Sequence, residues 1–405
     1  MMDAQLLRLP WELILNVMTC YIPANPTTLI TASDRATQLL LSFSLVNHAT
    51  HDFAVRRIQQ HCVVLDSDDR LRRFLLCLEV SRESGLKLPS VFNNLHTMYL
   101  APFGAIMDNL PTAAWIRDVF GYASGTLKRL IVDMPFDSLP PWNDHLNVGP
   151  VLLEGFERLA NLEEFVCTRD AGRLSVQDED NIPKSILYKW PKLRRLGLNR
   201  PSCDRDFWES LADIPHLEHI ILTGAIGSIR SGFDFREVYL QRAKVDSAVT
   251  IVLADVRKHT TVPVKDQTQT DTAGDEDRIQ LMALKIQVPK RKNFLDSNSE
   301  WLMGTALAGE LWDVKGQRIL EPPQLVLPHP QIGPFVFSDF CSARPFSAGC
   351  QIVQTVVRHL ILAVSQCGKK MPTPAPEAPT VKLAWQKEST PAQVQTSMKS
   401  PSPED

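Results

Sequence analysis

The chain has 405 residues, 44 % of them apolar and 22 % charged, the balance of a globular protein with a core large enough for two domains or one extended array. Forty-three basic against 46 acidic residues leave a net charge of −3, too near neutral for a nucleic-acid coat or a polybasic membrane binder. No apolar run approaches the roughly 18 residues of a membrane span. The first residues carry Asp3, Glu12 and Asn16 where a secretory leader needs a basic and then an apolar stretch. Eight scattered cysteines form no C-x-x-C pair, which argues for reduced thiols rather than a disulfide frame or a zinc site. Together these features point to an intracellular protein of the cytoplasm or nucleus, with no metal and no cofactor.

In chain order, Leu9-Pro10-Trp11-Glu12-Leu13-Ile14 opens a short helix with proline in its first turn, and Leu9, Leu13, Ile14 and Val17 fall on one side. A Pro-containing interruption follows at Ile22–Thr28. Two more helical patterns then run over Ala36–Asn47 and His51–Ile58, with apolar residues every three or four positions. Three short helices bury only a small core, so a module of this size over 5–60 is expected to gain stability from a partner. Residues 61–90 read as a helical linker.

Beyond it one hexapeptide recurs: Leu95-His-Thr-Met-Tyr-Leu100, Leu127-Lys-Arg-Leu-Ile-Val132, Leu162-Glu-Glu-Phe-Val-Cys167, Leu193-Arg-Arg-Leu-Gly-Leu198 and Leu217-Glu-His-Ile-Ile-Leu222. The starts lie 32, 35, 31 and 24 residues apart, and Phe92-Asn-Asn, Leu159-Ala-Asn, Trp190-Pro-Lys and Ile214-Pro-His lead four of them. Each hexapeptide is a candidate strand, each gap has room for a helix, and further strands are expected at 249–256 and 279–288. If the strands stack in parallel, their second positions form a row His96, Lys128, Glu163, Arg194, Glu218. The third positions form Thr97, Arg129, Glu164, Arg195, His219. From the second unit on, basic and acidic residues alternate from strand to strand, which suits a solvated ladder fixing strand order. Beside them runs an apolar row, Tyr99, Ile131, Val166 and Ile221, a candidate substrate-binding face.

The segment 259–277 is rich in Thr, Asp and Gln and reads as a mobile loop within a domain spanning 91–290. Residues 291–367 extend that domain and end in a helical pattern over Ile352–Val364. From 368 to 405 the chain is rich in Pro, Ser and Thr and reads as a disordered, solvated tail. Catalytic patterns are absent: Gly304-Thr-Ala-Leu-Ala-Gly309 lacks the Lys and Ser/Thr of a phosphate loop, and His216-Leu-Glu-His219 is not a zinc motif.

The order L-P-x-E-L-x-x-x-V, then L-L-x-x-S-x-V, then a helix ending A-x-x-x-I resembles an F-box of the kind found in fungal F-box proteins. Leu9, Pro10, Glu12, Leu13 and Ile14 match its opening, Leu40, Leu41, Ser44 and Val46 its middle helix, and Ala54 and Ile58 its last. The connection Tyr21–Arg35 is longer than is usual there, and the late tryptophan has no counterpart. The hexapeptide array is similar to an irregular leucine-rich repeat, a domain that often follows an F-box. The implied fold is mixed, α+β or α/β: a three-helix F-box, an irregular strand–helix solenoid and a disordered tail. The implied role is non-catalytic, that of the substrate-recognition subunit of a cullin–RING (SCF-type) ubiquitin ligase. It would dock a Skp-type adaptor, and through it a cullin, by Leu9, Pro10, Leu13, Ile14, Leu41 and Val46, and hold a protein substrate along the apolar row. Neither nucleic acid nor a membrane is expected as a partner. Two rivals stand beside this: a repeat scaffold whose N-terminal helices merely cap the solenoid, with Leu9 and Leu13 buried; and an enzyme with a deep pocket in 230–367.

Overall fold

The computed structural model describes residues 11–83, 95–139, 144–170, 175–177, 183–225, 233–243, 248–255, 259–260, 278–286, 294–319 and 324–325. Leu9, Pro10, most of the Thr/Asp/Gln-rich segment, the helical pattern at 352–364 and the tail from 368 lie outside them.

Three helices come first: α1 (Trp11–Tyr21), α2 (Arg35–Phe43) and α3 (His48–His61). Their starts are set locally. The Asp34 side chain accepts the Ala36 amide at 2.8 Å, and Asn47 with Thr50 forms a reciprocal capping box, so amides without helical partners are satisfied. Met18, Leu40 and Ala54 form the buried centre of the module.

Strands and helices then alternate. The order is β1 (Val64–Leu65), α4 (Asp68–Glu83), β2 (Thr97–Leu100), α5 (Leu110–Ala123), β3 (Arg129–Val132), α6 (Val148–Glu157) and β4 (Glu164–Asp170). A small antiparallel ribbon, β5 (Ser175–Gln177) with β6 (Pro183–Ser185), is followed by β7 (Arg195–Asn199), α7 (Arg205–Ala212), β8 (His219–Thr223), α8 (Phe235–Arg242) and β9 (Val249–Asp255). Last come β10 (His259–Thr260), β11 (Ile279–Lys285), α9 (Phe294–Ala308), β12 (Gln317–Arg318) and β13 (Gln324–Leu325).

Nine strands form one sheet in the order β1-β2-β3-β4-β7-β8-β9-β11-β12, parallel throughout except for β12 at one edge. The chain therefore lays its strands down in sequence order, with helices rather than hairpins as crossovers between most neighbours. All five hexapeptides became strands, each beginning at the third residue of the repeat, and 249–255 and 279–285 joined them as expected. The leader turns recur physically: Leu162 donates its amide to Leu159 at 3.0 Å, and Leu193 donates to Trp190 at 3.1 Å.

Alternation in each strand separates two cores. Leu130 and Val132, Phe165 and Cys167, Leu196 and Leu198, and Ile220 and Leu222 face the layer of α4–α8. Phe156 lies at the middle of that layer, with Phe120, Phe136, Phe165 and Trp190 around it at centroid distances of 5.1–6.3 Å. The Trp190 indole donates to the Phe156 carbonyl at 2.9 Å, so its one polar atom is satisfied in the core.

The opposite alternation produces a correction. Tyr99, Ile131, Val166 and Ile221 do stand in register across the sheet, with Gly197 and Val252 completing the row. All four are buried, however, beneath α9, Leu29 and the turn at Leu311–Asp313. A continuous apolar row is costly to leave in water, and the chain covers it with its own Leu302, Ala306 and Leu311. Gly197 makes this roof fit: a Cβ there would lie 3.3 Å from both Leu311 Cδ2 and Val166 Cγ1.

Two boundaries also shift. Residues 64–83 are no linker, because β1 pairs with β2 and Leu71, Leu75 and Leu78 of α4 enter the main core. His259 and Thr260, assigned from sequence to a mobile loop, pair antiparallel with Leu325 and Gln324.

Candidate docking surface

Two surfaces stand out, and their chemistry differs. The second-position row survives as an exposed ladder where the strands begin. Lys128 meets Glu163 at 2.9 Å and Arg194 meets Glu218 at 2.7 Å, with all four side chains well exposed. Lys192 and His216 join Glu163, Arg194 and Glu218 around a broad depression of about 400 Å³. Glu163, Arg194 and Glu218 are paired across strands and Lys192 donates to the Asn161 side chain at 2.6 Å, and exposed pairs of this kind contribute little each.

The third-position row does not behave as a solvated ladder. Arg129 and Glu164 form an ion pair whose side chains are only 5 % and 9 % exposed. The remaining guanidinium N–H groups donate to the carbonyls of Thr27 and Ala306. A charge on the sheet is thereby tied to the α1–α2 connector and to α9.

The other surface is the outer side of the helical module. Leu13, Val17 and Tyr21 are spaced i, i+4 and i+8 along α1, which places them in one stripe. They are 48 %, 50 % and 58 % exposed, and Leu45 and Val46, in the turn after α2, are 55 % and 59 % exposed. Five of the eleven exposed large apolar residues among the described residues thus lie within 34 positions of one small module. Leu13 and Val46 were expected on the adaptor surface. Val17, Tyr21 and Leu45 are likewise exposed on the module, and the four-residue spacing from Leu13 is the signal that marks the first two. Ile14 needs correction: it is half-buried and packs on the Met18–Leu40–Ala54 centre, because it sits on the inner side of α1. Leu41 is half-buried.

The connector that made Tyr21–Arg35 unusually long holds this module in place. Leu29 donates its amide to Leu307 at 2.7 Å, Thr28 Oγ1 donates to Ala308 at 2.8 Å, and Asn25 Nδ2 donates to Gly309 at 2.9 Å. At its other side, Ile30 donates its amide to the His61 carbonyl at 2.7 Å, and His61 Nδ1 lies 2.7 Å from the Thr28 carbonyl. That contact makes Nδ1 the protonated nitrogen; Nε2 is buried without a hydrogen-bond partner among the described residues.

Burial lowers the His61 pKa below its usual 6.5, with Arg57 acting in the same direction and the Thr28 contact opposing. Burial likewise lowers that of His219, aided by Arg195. The unfolded chain then binds more protons than the folded chain at mildly acid pH. The stability contributed by the neutral rings is complete above about pH 6.5 and is lost as the pH falls below it. The melting temperature is expected to fall from pH 7 to 5.5, and His61→Asn, whose amide can donate where Nδ1 did, should shrink that fall. An equal fall in the variant would remove His61 as a source.

No family model, no curated protein and no solved structure matches this chain. Among the described residues no helix is long and apolar enough to cross a membrane.

Proposed function

We propose that this chain is the target-recognition subunit of a cullin–RING ubiquitin ligase, with the three-helix module as an F-box that docks a Skp-type adaptor. The observation carrying this reading is the exposed stripe of Leu13, Val17 and Tyr21, with Leu45 and Val46 on the same module. Leu13 and Val46 are two of the positions that the F-box resemblance assigns to adaptor contact. A stripe half open to water on a module with three fully buried apolar residues is what a partner-completed fold looks like before the partner arrives. Strands laid down in chain order support the second half of the reading, a leucine-rich-repeat-like solenoid that carries the target. Such a subunit makes and breaks no bonds; it raises the local concentration of a target lysine near a charged ubiquitin-conjugating enzyme. This role places it in the cytoplasm or nucleus. Because α9 roofs the apolar row, the target surface is to be sought on the strand ends, connecting loops and outer helices.

The rival in which the helices only cap a scaffold requires Leu13 to be buried within the chain, whereas it is 48 % exposed. The test is co-expression with a Skp-type adaptor followed by gel filtration, for the unmodified chain and for Leu13→Asp/Val17→Asp. The unmodified chain should elute as a stoichiometric complex. Two buried-interface aspartates at about 2 kcal/mol each should weaken it about a thousandfold, with the fold intact because both side chains face water. A folded, unmodified chain that leaves the adaptor unbound would sink the reading.

A further inference from the structure

We propose that α9, whose end meets the connector across 280 to 284 residues of sequence, is a fourth element of the docking module. Its last turn clasps the α1–α2 connector, so the stripe keeps its shape only while α9 is seated, and occupancy of the stripe steadies α9 in return. The second clause rests on the adaptor-docking reading; the first does not.

An α-helix ends with four carbonyls that lack partners within the helix. At the end of α9 the Glu310 and Gly309 amides turn back to the Thr305 and Ala306 carbonyls, Ala306 accepts also from Arg129 Nη2, and Leu307, Ala308 and the following Gly309 accept from Leu29 N, Thr28 Oγ1 and Asn25 Nδ2. The last three donors belong to the connector. The connector therefore closes the carbonyls that the Gly309 turn leaves open, and the end of α9 accepts three of the connector's hydrogen bonds. Leu29 is buried with Leu302, Ala306 and Leu311, so an apolar anchor accompanies the polar one. Gly309 turns the chain with φ +74°, and a Cβ there would stand 2.2 Å from Thr27 Oγ1 and 2.8 Å from Asn25 Nδ2. Ile30 and Thr28 carry the connection on to His61 at the end of α3. The module's own centre is small, Met18, Leu40 and Ala54 with partly buried side chains such as Ile14, Phe43 and Ile58 around them, so the clasp adds to its order. Coupling between two sites is reciprocal, so a partner that orders the module also holds α9.

Hydrogen exchange by mass spectrometry on the full chain tests both clauses. In Gly309→Val, amides of 22–61 should exchange about tenfold faster or more, while those of β3–β8 keep their protection. Unchanged exchange over 22–61 would overturn the clasp. Asn25→Ala/Thr28→Ala removes two donors without a clash and should raise exchange over the same residues to a smaller degree, even if the valine variant fails to fold. Adding a Skp-type adaptor to the unmodified chain should slow exchange in α9 severalfold. Binding without that slowing would overturn the reciprocal clause, and absence of binding would overturn the adaptor reading while leaving the clasp to the Gly309→Val result.

Discussion

Arg129→Met is expected to destabilise the chain by about 3–5 kcal/mol, the usual cost of removing one partner from a buried ion pair. The magnitude follows from what remains. Glu164 is 9 % exposed, and its other cation, Arg195, stands 3.9 Å away on a side chain 43 % exposed. Methionine fills much of the volume but donates nothing, so a carboxylate and the Thr27 carbonyl lose their donor together and the Ala306 carbonyl keeps the Gly309 amide alone. Glu164→Leu added to Arg129→Met should recover most of the loss, since the buried charge is then gone. Urea denaturation of the three variants checks this. A single-variant cost below about 1 kcal/mol, or no recovery in the double variant, would show that the pair is not held away from water as described.

Phe156→Ala is expected to cost about 3–5 kcal/mol, the range for a large aromatic truncated in a sealed core. Phe156 has no exposed surface and four aromatic neighbours, and the packed helices leave little freedom to collapse on the space. Phe156→Leu, which keeps more of the volume, should cost roughly half as much. The two effects differ in kind. Arg129 binds three segments by polar contacts and its loss should show first around 25–30 and α9, whereas Phe156 should lower the stability of β3, β4, α5 and α6 together.

The repeat and its register were legible before any coordinates, because each unit repeats apolar residues at the first, fourth and sixth positions and side chains alternate between the two faces of a strand. Five hexapeptides beginning at Leu95, Leu127, Leu162, Leu193 and Leu217 carried that pattern, and the charge rows derived from it match the observed pairing. The α1 stripe was legible for the same reason: Leu13 and Val17 are four residues apart on a helix. What covers a face is another matter. Val166 in water and Val166 under Leu311 have the same local sequence, so the apolar row looked equally suited to a substrate and to the chain's own α9.

What the sequence by itself determined is therefore local and periodic: the three helical patterns of the N-terminal module, the strands of the sheet, and the sign alternation across them. The tertiary structure alone decided which faces are closed. It put α9 over Tyr99, Ile131, Val166 and Ile221, buried the Arg129–Glu164 pair while leaving Lys128–Glu163 in water, and set the long α1–α2 connector against the end of α9. The physical reason is that periodicity records which residues share a face, while burial depends on what a distant segment, here residues 302–311, brings against that face.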